Sequence, residues 1–562
     1  MSTTAQLLDA LDAARRNFDL PQATIAALLS GLDKSKIDNA ADLIRLHEAL
    51  LFMRAYPRGP RLVRHVETIL KKFGRLVDEL VDADIDVSAL DDPEVSGIVS
   101  GSVTSNFSYA IVRWLVSKFP AQLSIDWDWF EEEDRFGATM PRFMPLLEDD
   151  AMVEAHVPYR EWVRAAKGRQ RELTWLITRF ESLPLAEKLK ANLYDSLKLH
   201  VTWRYGTRSS RTSLRLASAG LFVHNSPLIA RREVSLKQEL SSAPIPIERI
   251  SPSQGEKIID VARETSAARY RELHGFTFGD YRRVLKADIG RGTVVYVMGV
   301  PPENRLPLRA YHAAMMFKNG VPVGYFEGLS ICERIESGFN LYYTFRDGET
   351  AWLYTRILHL MRQLLGVSVF SIDPYQVGHE NEEGIESGAF WFYRKLGFRP
   401  VKPDLLRLTE REEAKVARKS GYRTSAATLR KLAAGHMLFE LSAQESASSW
   451  DNFEVRNIGL DVQRRMADKC KGDSGAIREA SVQMVSDALR INPRNWNDAE
   501  LGALENLSLV LMSDDLGAWS ATQKELAIHI IRAKAGRDEA LYLKLMQKHA
   551  AFRDVLMRLG CP

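Results

Sequence analysis

Through most of the first 215 positions, apolar residues recur three and four apart, the spacing of amphipathic helices. NAADLIRLHEALLFMRAYP shows the pattern until Pro57 and Pro60 interrupt it, and LVRHVETILKKFGRLVDELV resumes it. SNFSYAIVRWLVSKFP, ended by Pro120, and LPLAEKLKANLYDSL add two more helices. After about 215 the pattern changes. PLIARREVSL and APIPIERISPSQG mix prolines with β-branched residues and read as a connector or edge element. QGEKIIDVARETSAARYRELHGF is a helix that Gly275 can stop, and TFGDYRRVLKADIG is a short helix or turn. GTVVYVMGV, HAAMMFKNG, VPVGYFEGLSI and GFNLYYTF are strand-like, and Asn319-Gly320 marks a hairpin. TAWLYTRILHLMRQLLG then reads as a helix stopped at Gly366, VSVFSID as a strand and ESGAFWFYRKLGF as a helix. From about 409 helical spacing returns. Thr409 and Glu412 suggest a capping box, and Ser425 a further cap. The expectation is an α/β fold in the centre, flanked by N-terminal and C-terminal mainly α-helical regions. The divisions fall at 1–215 (helical), 216–254 (connector), 255–405 (α/β) and 406–562 (helical). No fixed-period repeat is present, which argues against a solenoid.

At 562 residues the chain is too long for one ordinary domain, and 45% apolar residues can fill a sizeable core. Its 76 basic and 73 acidic residues nearly cancel, at +3, which excludes a disordered acidic chain and a strongly basic one. Cys332, Cys470 and Cys561 are far apart and form neither a disulfide framework nor a zinc motif. The opening segment breaks its apolar pattern with Asp9, Asp12, Arg15 and Arg16, so it reads as an amphipathic helix rather than a secretion signal. No stretch reaches the ~20 apolar residues of a membrane span. A reducing, cytoplasmic setting without membrane association is expected.

The chemistry is concentrated at the centre. The segment Arg346-Asp347-Gly348-Glu349-Thr350-Ala351 joins a strand to a helix start, where free N–H groups and the helix dipole suit a pyrophosphate and Gly348 allows close approach. The next strand is followed by a polar loop with His379, Glu380, Asn381, Glu382 and Glu383, and then by Tyr393-Arg394-Lys395-Leu396-Gly397-Phe398. This order, over about 255–405, resembles the GNAT superfamily of acetyl-coenzyme A dependent N-acyltransferases. That family has an Arg/Gln-x-x-Gly-x-Gly/Ala loop after its fourth strand, an Asn after its fifth and a helix ending Tyr-x-Lys-Leu-Gly-Phe. On the loop pattern Arg346 takes the first position, Ala351 the last, and Glu349 stands where the middle glycine is expected.

The resemblance implies a GNAT-like mixed sheet and direct transfer from acetyl-CoA, or another acyl-CoA, to an amine. Residues 346–351 and Asn381 would hold the donor. Tyr393 would return a proton to the leaving thiolate, a task for which a phenol near pKa 10 is suited. Glu327 and His379 are candidate bases, with Glu333 and Glu336 as competitors. Backbone N–H groups of the Tyr342 to Phe345 strand would polarise the thioester carbonyl. No metal is expected. The acceptor, a small-molecule or peptide amine, is not written in the sequence. The competing reading is a non-catalytic GNAT-like binding or scaffold protein, in which Glu349 repels the pyrophosphate.

Two other clusters carry less. DWDWFEEED, Asp126 to Asp134, gathers carboxylates and aromatic residues but matches no metal-binding spacing. TWRYGTRSSRTSLRL sets Arg204, Arg208, Arg211 and Arg215 close to one helical face, a pattern that nucleic acid could use. The near-neutral total argues against a large basic footprint, so nucleic acid is not the expected partner. His359 and His436 read as structural. Helical flanks of this size can bury their apolar faces within the chain or across a homo-oligomer.

Overall fold

The computed structural model describes residues 3–95, 97–129, 135–137, 139–145, 157–207, 210–217, 220–441 and 448–561. Four helices open the chain: Thr4–Ala14, Gln22–Leu32, Ala40–Ala55 and Pro60–Asp82. Pro60 sits at the first position of its helix, where the missing N–H costs nothing. A small sheet follows, from β1 (Ser102–Ser105), β2 (Leu123–Ile125) and β3 (Val201–Arg204) in the order β1-β3-β2. Helices Tyr109–Lys118, Glu172–Ser182 and Glu187–Leu197 pack on it and enclose a core of their own, centred on Trp203, Phe180 and Tyr194. The expected 204–215 helical face does not form. Its start is β3, Arg211 is buried on the Glu48 carboxylate and Arg215 pairs with Glu67. Arg208, and residues 130–134 of the acidic cluster, lie outside the described residues.

The centre is one nine-stranded sheet. Its strands are β4 (Ile247–Arg249), β5 (Leu285–Gly290), β6 (Thr293–Met298), β7 (Ala310–Lys318), β8 (Val321–Ile331), β9 (Arg334–Leu341), β10 (Val369–Ile372), β11 (Arg399–Pro400) and β12 (Met437–Glu440). They lie in the order β11-β12-β10-β9-β8-β7-β6-β5-β4. Every neighbouring pair is antiparallel except β9 and β10, which run parallel and are joined by the helix Thr350–Leu365. A parallel pair needs such a crossover. The Asn319-Gly320 turn closes the β7–β8 hairpin with φ of 48° and 79°, a left-handed pair that a type I′ turn requires. Gly366 ends the crossover helix in the left-handed region, as the sequence predicts.

Four local readings are corrected. Residues 343–345 form a 3₁₀ turn because β9 ends at Leu341. The 285–290 stretch, read as part of a short helix or turn, is a full strand. The 216–254 stretch contributes β4, and the sheet closes with β12, within 406–562. Thr409 and Glu412 cap nothing. Both lie inside the helix Pro403–Arg418, where the Thr409 hydroxyl bonds back to the Leu405 carbonyl and Glu412 accepts from Tyr422. Ser425 does cap the next helix. The C-terminal helices Val455–Cys470, Ser474–Leu489, Asp498–Leu511, Ala521–Ala535, Glu539–Met546 and Ala550–Gly560 share a single apolar core with the sheet and the first four helices. Among the described residues, no helix is long and apolar enough to cross a membrane.

A buried polar junction fastens the N-terminal helices to the sheet. His47 is fully buried, 3.0 Å from Glu48 Oε1 and 2.9 Å from the Thr212 hydroxyl. Glu48 also receives Arg211 at 2.8 Å and the Thr344 hydroxyl from the turn after β9. Burial pushes the His47 imidazole down to about 4, against the pull of Glu48. Burial pushes the Glu48 carboxyl up, but Arg211 and His47 outweigh it and hold it at about 2. Between pH 6.5 and about 4 the unfolded chain binds a proton that native His47 refuses. Stability therefore falls as the pH drops through that window, by roughly 3 kcal/mol for this group alone. Below it, Glu48 continues the loss toward pH 2. Thermal melts at pH 7 and pH 4.5 should differ accordingly, and His47→Gln should flatten the slope above pH 4.

Candidate functional site

The parallel pairing of β9 and β10 joins Arg334–Glu336 to Val369–Ser371 and goes no further. Beyond it the strands diverge. A cleft of about 240 Å³ opens between the end of β9, at Phe339, Asn340 and Leu341, and the segment after β10, from Gln376 to Tyr393. Arg346 and Thr350 line one end, Asn381, Glu383 and Gly384 face them, and Phe392 and Tyr393 form a third wall. The crossover helix Thr350–Leu365 starts at this cleft without a side-chain cap. Among the described residues the N–H groups of Thr350, Ala351 and Trp352 donate to nothing, so its first turn offers free donors and the positive end of its dipole.

The 346–351 loop therefore splits. Arg346 stays in the cleft, with Nε donating to the Leu341 carbonyl at 3.1 Å and Nη2 to Glu383. Asp347 turns outward to Arg16, at 3.2 Å, and Arg15. Gly348 lies against Tyr56, where an added Cβ would come within 2.3 Å of the phenol oxygen, so only glycine fits. Glu349 is wholly buried away from the cleft. Its carboxylate meets Lys318 at 3.0 Å and Arg291 at 2.5 Å, and accepts from the Ile229 N–H. Burial pushes this carboxyl up, but the two cations outweigh it and hold it below the ordinary range. It is a neutralised anchor and does not project into the cleft. Ala351 is buried in the first turn of the helix.

Asn381 both lines the cleft and caps the short helix Glu382–Glu386, accepting from the Gly384 N–H while its amide donates to the Tyr375 carbonyl. Tyr393 is buried among Tyr354, Phe392 and Phe398, which drives its pKa well up. Its hydroxyl makes no hydrogen bond among the described residues. Glu327 lies on β8, outside the cleft lining, where it accepts from the Tyr311 hydroxyl. Burial raises its pKa. Opposite it on β9 stands Gly338, and the space its missing side chain leaves is bordered by Glu327 on one side and by Gln376, a cleft residue, on the other. His379 is exposed and does not line the cleft.

Two expectations change. The strand expected to present Tyr342 to Phe345 ends at Leu341, and of its N–H groups that of Tyr342 is spent on the Val323 carbonyl and that of Phe345 on Tyr342. Glu333 is held by Arg553 and the Trp450 indole, which leaves it structural. Residues that sequence reasoning missed are Asn340, Gln376 and Glu383. Only Glu383 carried any signal, as part of the polar loop that follows the strand. Compared with models of protein families, with curated proteins and with solved structures, the chain matches none.

Lys318 is as buried as Glu349, so Lys318→Met leaves a buried carboxylate under-compensated. The expected loss is about 3 kcal/mol, read as a lowered unfolding midpoint, with Lys318→Met/Glu349→Leu recovering part of it. Tyr393→Phe removes a hydroxyl without a partner and should change stability by less than about 0.5 kcal/mol in the same measurement.

Proposed function

We propose that the chain is an acyl-CoA dependent N-acyltransferase of GNAT type, with acetyl-CoA the expected donor. One observation carries this reading: the divergence of β9 and β10 leaves Arg346, Thr350, Asn381 and Tyr393 around one cleft at an uncapped helix start. The Tyr393–Phe398 segment and the strand order support the same assignment. The donor's pyrophosphate would sit against the free N–H groups of the first helical turn, with Arg346 exchanging Glu383 for a phosphate oxygen. Asn381, held by its own cap geometry, would border the pantetheine arm.

In this mechanism the acceptor amine reaches the thioester from the β8 side. Glu327 takes its proton through a water in the gap at Gly338, and its raised pKa makes the carboxylate a stronger base. The amine nitrogen bonds to the acyl carbon and the carbon–sulfur bond breaks. The Tyr393 phenol, kept protonated by burial, gives its proton to the departing thiolate. The acceptor is a small-molecule or peptide amine.

A non-catalytic binding role is the second reading, and the Arg346–Glu383 pair across the cleft favours it, because it already neutralises the one cleft arginine. Calorimetric titration with acetyl-CoA separates the two. Saturable binding that weakens about 10-fold in Arg346→Ala supports the transferase, and Tyr393→Phe should then bind normally while slowing thiol release about 100-fold. No binding at millimolar acetyl-CoA would sink it.

A further inference from the structure

Sheet register brings three ligand-type side chains together beside the point where β9 and β10 part. Asp373 follows β10 directly and His436 precedes β12. Since Ile372 pairs with Met437 in antiparallel register, the next pair outward is Asp373 opposite His436. Glu336 on β9 pairs in parallel with Ser371, two residues before Asp373, and so shares its face. One oxygen of Glu336, one of Asp373 and one imidazole nitrogen of His436 all lie within 4.8 Å of one another. Glu336 lies on β9 and the other two flank the paired ends of β10 and β12, so the sheet sets their spacing.

We infer that this group is a binding site for a divalent transition ion of the zinc type. Two carboxylates and one imidazole are a donor set that such ions accept, with remaining positions open to water or substrate. A second observation is independent of the spacing: Nδ1 of His436 is buried and has no hydrogen-bond partner. Its Nε2 stands 3.5 Å from Glu454, in the manner of a carboxylate that orients a ligating histidine. The Asp373 side chain is already oriented, one oxygen accepting from the Tyr375 N–H.

The guanidiniums nearby hold the carboxylates loosely. Three carboxylates, from Glu336, Asp373 and Glu454, meet three guanidiniums, and the exposed Arg456 stands 3.8 Å from Glu454. Arg309 and Arg334 approach Glu336 only at 3.4 and 4.0 Å, both long for a charge-assisted bond. Arg334 is committed elsewhere, to the Ser371 hydroxyl and the Phe453 carbonyl. An ion here would take Glu336 from Arg309 alone. The site stands or falls apart from acyl transfer, since binding is measured on the protein with the metal alone.

The test is calorimetric titration of metal-free protein with zinc chloride, repeated with cobalt(II) to read its visible absorption. One equivalent should bind, with cobalt bands of low coordination number. Asp373→Asn keeps the turn cap and loses the charge, and His436→Phe removes the nitrogen. Each should weaken binding at least 10-fold, and Glu336→Gln should do the same while remaining folded by circular dichroism. Absence of stoichiometric binding, or binding unchanged in Asp373→Asn and Glu336→Gln, would overturn the proposal and leave only scattered surface histidines as ligands.

Discussion

A carboxylate shut away from water must find cations, and Glu349 finds them from two separate turns of the sheet. Arg291 comes from the β5–β6 turn and Lys318 from the end of β7. The peptide N–H of Ile229, in the connector, reaches the same carboxylate, and Tyr56 of the N-terminal helices reaches the Glu349 N–H. The pin sits at the residue that starts the crossover helix, so it fixes the helix start against three parts of the chain at once. The loop's position on the cleft follows from this, because Arg346 can face inward only while Asp347 and Glu349 are held outward. A buried pair of this kind adds little net stability over an apolar equivalent. What it supplies is a single position for a loop that would otherwise have several.

The second constraint is the lone parallel pair. Antiparallel neighbours can stay hydrogen-bonded to their ends, but β9 and β10 are joined by a helix that must cross from the end of one to the start of the other. Pairing stops at Glu336 and Ser371, and beyond it the two strands leave a gap between them. Such a gap is where a ligand can reach main-chain donors. Gly338 then opens the floor toward Glu327, where a larger residue would close it. The cleft, the helix start and the Glu327 side are therefore consequences of one topological feature.

Local signals in the sequence were legible where one residue sets the backbone. Asn319-Gly320, Gly366, Ser425 and the proline-bounded helices each act within a few positions, and helical periodicity marks long amphipathic segments reliably. Distant pairing was not legible. Strand β4 is three residues long, and proline-rich flanks hid it as a connector. Thr409 and Glu412 have cap spacing, yet both are buried inside a helix, because only tertiary packing decides which turn comes first. Arg211 looked like surface charge until Glu48, far away in the chain, buried it. Of the candidate site, Arg346, Thr350, Asn381 and Tyr393 were visible through the resemblance. The fate of Glu349 was not, since no local rule says that its partners lie at 291 and 318. The grouping of Glu336, Asp373 and His436 was equally hidden, because it exists only through register across three strands.

Tyr393 shows what burial does to a titratable group that lines the cleft. Burial among three aromatic neighbours raises its pKa, which on stability grounds is neutral at ordinary pH because the phenol stays uncharged. A donor whose pKa lies above that of the group it protonates gives up its proton only when that group has become strongly basic. Burial therefore holds the proton on the Tyr393 oxygen at ordinary pH. Burial shifts the Glu327 carboxyl in the same direction. Burial thus moves both groups toward their protonated forms.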